Sequence, residues 1–515
     1  MASSADNSQF NSYKLSWGVI AGIALFSVLY FADIFLKASQ KCFWFDELFT
    51  VYLCRLPDFK STWTAVAHGA DFNPPLFYLM ERGSQTLFGH GLIATRLPSA
   101  IGVWLFCICL FLFVARRAGA LCGFIAGVFP FFTLIQYYAY EARAHGIVLG
   151  WYGVALVCWQ RSMAGRKRYL WLAGFGLCVT GALLTHVYAV YVLVPFALVE
   201  LYNLMSGNRP GWGILAVMAF AFTAVTLTVY LPLVRHYRAV AIPANFFPAS
   251  HFALLQFLLH VVGPAVGILI VWLLLAAIDG RQQRSRANTG VVIPQREILL
   301  AVGFACIPVM GLVGCKLSHG PFFDRYFLAS VAGYSLFLAI ASLRLGVPWI
   351  TAGFTGFLFC LMLADLGATI YFAKVHRILL FEPSTNLRLS TDPSRPMALY
   401  ETLSTDKRDL DVMVLPSLEY IYLFQYAPQS IRPHLYFGAP TGDVNLGGYE
   451  RLGKWAEINF QLTALEPFLA AHKKFLLYEG QAGSDPEAMQ AIASAGYRLL
   501  SVETDSMGIL SEYAK

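Results

Sequence analysis

Charge is scarce in this chain. Only 13% of its 515 residues are Asp, Glu, Lys or Arg, about half the share found in an ordinary soluble domain. So little charge excludes a disordered polypeptide and an ordinary cytosolic enzyme. There is no Gly-rich nucleotide loop, no HExxH helix and no GxSxG elbow, so nothing supports ATP or a nucleotide-linked compound as a direct substrate. There is no long Lys/Arg tract, which excludes nucleic acid as a partner. No sequence repeat or low-complexity tract is evident. The ten cysteines form no metal framework. Cys107, Cys109, Cys122, Cys158, Cys178, Cys306 and Cys360 lie in apolar runs, where cysteine acts as a small hydrophobe. Cys42 and Cys54 share the first polar loop, where an oxidising compartment would permit a disulfide.

What the chain has is apolar sequence. Hydrophobic residues make up 57% of it and aromatics 15%, the composition of a polytopic membrane protein. The first apolar run, residues 15–36, is too long for a signal-peptide core and is followed by no small-residue cleavage site. It is expected to remain as an anchor with its N-terminus inside. A mixed loop at 38–92 comes next. Further runs lie near 97–115, 118–136, 145–160, 170–186, 188–205, 212–234, 252–278, 298–315, 326–342 and 348–369. The expectation is about eleven spans. The net charge of +7 gathers between runs, at Arg116 and Arg117, at Arg161 to Arg168, at Arg209, at Arg281 to Arg296 and at Arg344. Translocating Lys or Arg next to a span is disfavoured, so these loops are assigned to the cytoplasm. An odd number of spans then puts the C-terminus outside.

Beyond residue 370 the composition turns polar. DVMVLP (411–416), HLYFG (434–438), KFLLYEG (474–480) and YRLLSVET (497–504) read as strands, and SLEYIYLFQYA (417–427) and PEAMQAIASAG (486–496) as helices. That alternation predicts a small α/β domain. The expected organisation is a membrane domain over 1–370, including the first loop, and an extracytoplasmic domain over 371–515.

Polar residues of chemical interest recur on the outer side. Asp46 and Glu47 follow the first span. On a helix two neighbours point about 100° apart, so one can face a cavity while the other turns to a partner. A carboxylate in such a place can serve as a general base. Asn73-Pro74-Pro75 imposes an extended entry and a helix start. Tyr140, Glu141, Arg143 and His145 sit between two closely spaced runs, and a guanidinium there suits phosphate. Lys316, His319, Asp324, Arg325 and Tyr326 crowd another short loop able to hold an anion. His186 with Tyr188, and Arg235 to Arg238, are lesser candidates on the same side. The acidic residues clustered on the outer side leave a divalent cation open, but they make up no complete ligand set, so no metal or cofactor is predicted.

Together the motifs resemble those of polytopic GT-C glycosyltransferases, in particular the bacterial protein O-mannosyltransferase and aminoarabinose transferase-like group. The resemblance rests on Asp46-Glu47, Asn73-Pro74-Pro75-Leu76, Tyr140-Glu141-Ala142-Arg143 and Asp324-Arg325-Tyr326-Phe327-Leu328, in that order, over residues 15–345. Many relatives have His-Pro-Pro where this chain has Asn73-Pro74-Pro75. The resemblance implies a polyprenyl-phosphate sugar donor, a lipid, glycan or protein acceptor, and transfer at the extracytoplasmic face of a bacterial inner membrane. It also implies a carboxylate near the reacting centre, carried over to Asp46 with Glu47 second to it. Arg143 and Arg325, helped by Lys316 and His319, are expected on the donor phosphate, and Glu141, Asn73 and Tyr140 on the substrate. The rival expectation is a multi-span transporter or lipid flippase. Paired repeats would favour that class, and the two halves of this chain do not look alike.

Overall fold

The computed structural model describes residues 16–163, 167–207, 211–238, 250, 252–282, 293–318, 322–343, 348–374, 380–381, 388–389, 410–415, 417–439, 444–480, 486–504 and 508–515. The chain divides into two compact units. One contains Met1–Leu36, Asn73–Val234 and Pro243–Ile370, and the other contains Lys37–Phe72, Arg235–Ile242 and Tyr371–Lys515.

The first unit is helical. Among the described residues six helices are long and apolar enough to cross a bilayer, or up to eight if two bent pairs each count as one span. Helical segments lie on all the expected runs, and their breaks have local causes. The helix Leu92–Val128 is interrupted at Gly119 (φ 82°, ψ 171°), a conformation that suits glycine and strains other residues. That break separates the expected runs 97–115 and 118–136. The pair Ala253–Val261 and Gly263–Ala277 bends by 51°, and the pair Gln295–Ala305 and Ile307–Leu317 by 47°. Pro264 and Pro308 stand at these bends, where each removes a backbone donor and crowds the preceding turn.

The helix Ala144–Ser162 lies along Leu92–Val128 with almost no side-chain spacing. A Cβ built on Gly150 would fall 2.8 Å from the Gly102 Cα, and one on Gly153 2.8 Å from the Phe106 Cα. Small residues one turn apart let membrane helices approach backbone to backbone. The contact sets where the N-terminus of Ala144–Ser162 lies, because Ser99 Oγ donates to the carbonyl of Arg143 at 2.8 Å. At the other end of this helix, Arg117 contacts Glu297 at 3.0 Å with both side chains nearly buried, and Gln160 donates to the same Glu297 oxygen at 3.3 Å. Arg117, expected as a loop anchor, is thus also a buried link between helices.

The second unit is built on a six-stranded sheet. β1 (Leu380–Phe381) and β2 (Arg388–Leu389) pair separately. The main sheet comprises β3 (Val412–Val414), β4 (Leu435–Ala439), β5 (Gln461–Ala464), β6 (Lys474–Gly480), β7 (Arg498–Thr504) and β8 (Gly508–Ala514), in the order β5-β4-β3-β6-β8-β7. β3 runs parallel to β4 and β6, β4 parallel to β5, and β8 antiparallel to β6 and β7. The four expected strands and both expected helices are present. β5 and β8 were not expected from the sequence. β8 carries Ser511 and Glu512 in its middle, which mask its strand character. Glu512 meets Lys474 at 2.6 Å and accepts from Ser501 at 3.0 Å. Asp411 joins the starts of three strands, meeting His434 Nδ1 and His472 Nε2 at 2.8 Å each.

The residues after the first long helix belong to this unit. The helix Phe45–Cys54 packs on its aromatic face, with Phe49 stacked on Tyr449 at 6.0 Å and Phe45 edge-on to the same ring at 6.2 Å. Tyr52 donates to Gln425 at 2.6 Å, the Tyr426 hydroxyl accepts from the Phe43 amide at 2.8 Å, and Arg451 donates to the Gly69 carbonyl at 2.7 Å.

Candidate functional site

In the second unit the helix Phe45–Cys54 separates the two carboxylates of the acidic pair. Glu47 turns inward. One of its oxygens accepts from the Trp44 amide at 3.3 Å and lies 3.4 Å from Lys41 Nζ, and neither charged side chain has any exposed surface. Glu47 thereby closes the N-terminus of its own helix, the geometry of half a capping box. Asp46, one residue earlier, is half-buried. Asp71 is buried and accepts from the Phe72 amide at 2.8 Å. Cys42 and Cys54 are both buried. Burial pushes the Tyr52 phenol up to about 12, against the fields of Arg432 and Arg55.

In the first unit Asn73 is buried and Pro75 opens the helix Pro75–Phe88, the start that its two prolines predict. Tyr140 and Glu141 are buried in the turn between Ile135–Ala139 and Ala144–Ser162. Arg143 is the N-cap residue of the latter helix, half-buried, with its guanidinium 6.0 Å from the Phe77 ring centre. Asp324–Phe327 forms a single helical turn. Asp324 contacts His260 Nδ1 at 2.8 Å, and burial raises its pKa while His260 opposes the rise. Arg325 lies over the rings of Phe323 and Tyr326 at 4.8 and 5.7 Å.

Residues distant in sequence meet around His145. Its ring lies 5.1 Å from Tyr138, 5.0 Å from His186 and 5.9 Å from Tyr326, centre to centre. Tyr188 stacks on Tyr326 at 4.0 Å, and the charges of Arg325 and Arg143 both act on His145. The structure therefore gathers Arg143 and Arg325 about one imidazole, with His186, Tyr188 and Tyr326 as walls. Lys316 is exposed in the last turn of Ile307–Ser318, and His319 lies outside the described residues.

A second polar centre lies among residues outside the motifs of the outer loops. Gln136 gives its amide to Asp33 at 3.1 Å and to Asp365 at 2.8 Å, while Thr369 donates to the other Asp33 oxygen at 2.8 Å. Asp33, Asp365 and Arg96 all lie within electrostatic reach of the Tyr140 hydroxyl. The signal was in the sequence, since an acid inside an apolar run, as in LYFADIFL and LMLADLGAT, marks a functional or structural site by default. Glu81 and Arg96 are also fully buried. Among the described residues no three His, Cys, Asp or Glu side chains are placed to hold a metal ion.

The apolar helices, the polar turn at Tyr140–Arg143 and the α/β sheet define the class of a multi-pass helical membrane protein that also carries a small α/β domain. The solved structures it is similar to include ArnT from Cupriavidus metallidurans. The apo crystal structure of ArnT matches 96% of this chain and 97% of its own, with a TM-score of 0.55 and 13% identity. ArnT bound to undecaprenyl phosphate matches 96% and 98%, with a TM-score of 0.56 and 12% identity. The expected resemblance thus holds at the level of the fold. No protein-family model and no curated relative matches the chain.

Proposed function

We propose that this protein is a membrane glycosyltransferase that moves a hexosyl or pentosyl unit from a polyprenyl-phosphate donor to a lipid, glycan or protein acceptor. The observation that carries this reading is a fold likeness to ArnT over nearly the full length of both chains, including a form that holds undecaprenyl phosphate. The grouping of Arg143, Arg325, His145 and His186 supports it, because two guanidiniums beside imidazoles suit a phosphate ester.

In this mechanism Asp46 takes the proton of the acceptor as its oxygen or nitrogen attacks the anomeric carbon. Polyprenyl phosphate leaves from the opposite face of the sugar, and the configuration inverts. Arg143 and Arg325 stabilise the charge growing on the leaving phosphate, with Lys316 and His319 assisting. Glu141, Asn73 and Tyr140 orient the substrate. General-base help contributes roughly 10²–10⁴ in rate, and a well-placed donor to the developing anion about 10²–10³. Glu47 enters as the partner of Lys41 and the cap of the helix bearing Asp46, a positioning role. Residues 1–370 form the catalytic membrane domain, whose first loop, Lys37–Phe72, folds with the C-terminal residues, and residues 371–515 form an extracytoplasmic domain. The N-terminus is cytoplasmic and the membrane is the bacterial inner membrane.

Incubating the purified protein with radiolabelled polyprenyl-phosphate sugars and a bacterial membrane extract tests the reading. Label joined covalently to a new acceptor is the expected result. Movement of the labelled lipid between leaflets with no new bond would favour a flippase instead.

A further inference from the structure

We propose that the first turn of the helix Ala144–Ser162 receives the donor's phosphate group, with the His145 side chain as a direct hydrogen-bond donor to it. This rests on the glycosyltransferase reading and adds a ligand contact to it. Four observations converge on this end of the helix. The first amides of a helix have no intrahelical partner and carry partial positive charge, so they attract an anion. Here the N-cap residue is Arg143, whose side chain makes no capping hydrogen bond to those amides. His145 follows within the same turn. Its residue is only 8% exposed, and among the described residues it makes ring contacts alone, with Tyr138, His186 and Tyr326. A largely buried imidazole with no hydrogen-bonding partner among the described residues is available to one on a ligand. Finally, the charged groups that act on it are Arg143 and Arg325, together with His186. An imidazole offers at least one N–H in either protonation state.

The neighbouring histidine is already committed. His186 Nδ1 accepts from the Tyr188 amide at 3.2 Å, so its neutral ring carries the proton on Nε2. Its orientation is set by the protein, whereas that of His145 is left to a ligand. An anion with several oxygens suits such a set, and a phosphate ester can take the helix amides, a guanidinium and an imidazole N–H together. The shared chemistry is the phosphate group, whether on a polyprenyl chain or free.

The test measures binding of polyprenyl phosphate, the matching uncharged polyprenol and inorganic phosphate to the purified full-length protein. Wild type is expected to bind polyprenyl phosphate more tightly than polyprenol. His145→Phe keeps an aromatic ring and removes the N–H. It should weaken polyprenyl phosphate by about tenfold or more and leave polyprenol unchanged. His145→Gln, which restores a donor, should return to within about threefold of wild type, a rescue that a merely structural role would not give. If His145→Phe does not fold, His145→Met provides the same removal. Competition by inorganic phosphate in wild type identifies a site for the bare group, and its failure identifies one that also needs the isoprenoid; both support the contact if the variant loses phosphate preference. A folded His145→Phe protein with full preference for polyprenyl phosphate overturns this inference alone. A wild-type protein with no such preference overturns the functional reading as well.

Discussion

Lys41 and Glu47 are two full charges without exposed surface, 3.4 Å apart. Removing one partner leaves the other desolvated, at a cost of roughly 3–5 kcal/mol, while replacing both with apolar groups is often neutral. Lys41→Met should therefore lower the thermal midpoint strongly, and Lys41→Met with Glu47→Leu should recover most of the loss. A double variant no more stable than the single one would rule out charge burial as the cause. The neighbouring Asp46 is predicted to behave differently. Asp46→Asn should leave the thermal midpoint near wild type and cut transfer by about 10²–10⁴, measured with a labelled lipid-linked sugar. Adjacent residues of like charge thus give opposite signatures, one in stability and one in turnover, because a helix turns them about 100° apart.

At the scale of the element, two contacts hold the Tyr140–Arg143 turn from either side. The close packing of Gly150 on Gly102 sets the depth of the helix Ala144–Ser162. Gly150→Leu should push the two helices apart, destabilise the protein by more than about 2 kcal/mol and abolish transfer; normal activity in that variant would show the approach to be dispensable. On the other side, Gln136 binds both Asp33 and Asp365 and so ties the short helix Ile135–Ala139 to two others. Gln136→Leu removes both bonds and should cost about 1–3 kcal/mol, read as a shift in thermal midpoint. The polar turn and its helix start were legible in the residues Tyr140–His145, because a short polar break between apolar runs must lie at a helix end. The link through Gln136 was not legible, because hydrogen bonds between residues 103 and 229 apart leave no local pattern.

At the scale of the whole molecule, the segment Lys37–Phe72 follows a membrane helix in sequence and folds with the C-terminal residues. Its helix Phe45–Cys54 covers Tyr449 and hydrogen-bonds Gln425. Deleting residues 371–515 would leave Phe45 and Phe49 without that aromatic partner and expose apolar surface. The truncated protein is expected to aggregate or be degraded, as seen by size-exclusion chromatography after mild detergent extraction. A monodisperse truncated protein would mean that the first loop stands without the sheet.

Composition and apolar runs alone determined that this chain is a polytopic helical protein with a small α/β domain, because burial in lipid and the two-residue period of strands both write themselves into local sequence. The order of the acidic, proline and Arg-bearing motifs was enough to anticipate the likeness of fold to ArnT. Only the tertiary structure decided that Glu47 pairs with Lys41, that Arg143 and Arg325 share His145, and that Asp33 and Asp365, on two different helices, are bridged by one glutamine. These are contacts between segments far apart along the chain. They follow from how helices pack and where glycine lets them approach, and no window of neighbouring residues contains that information.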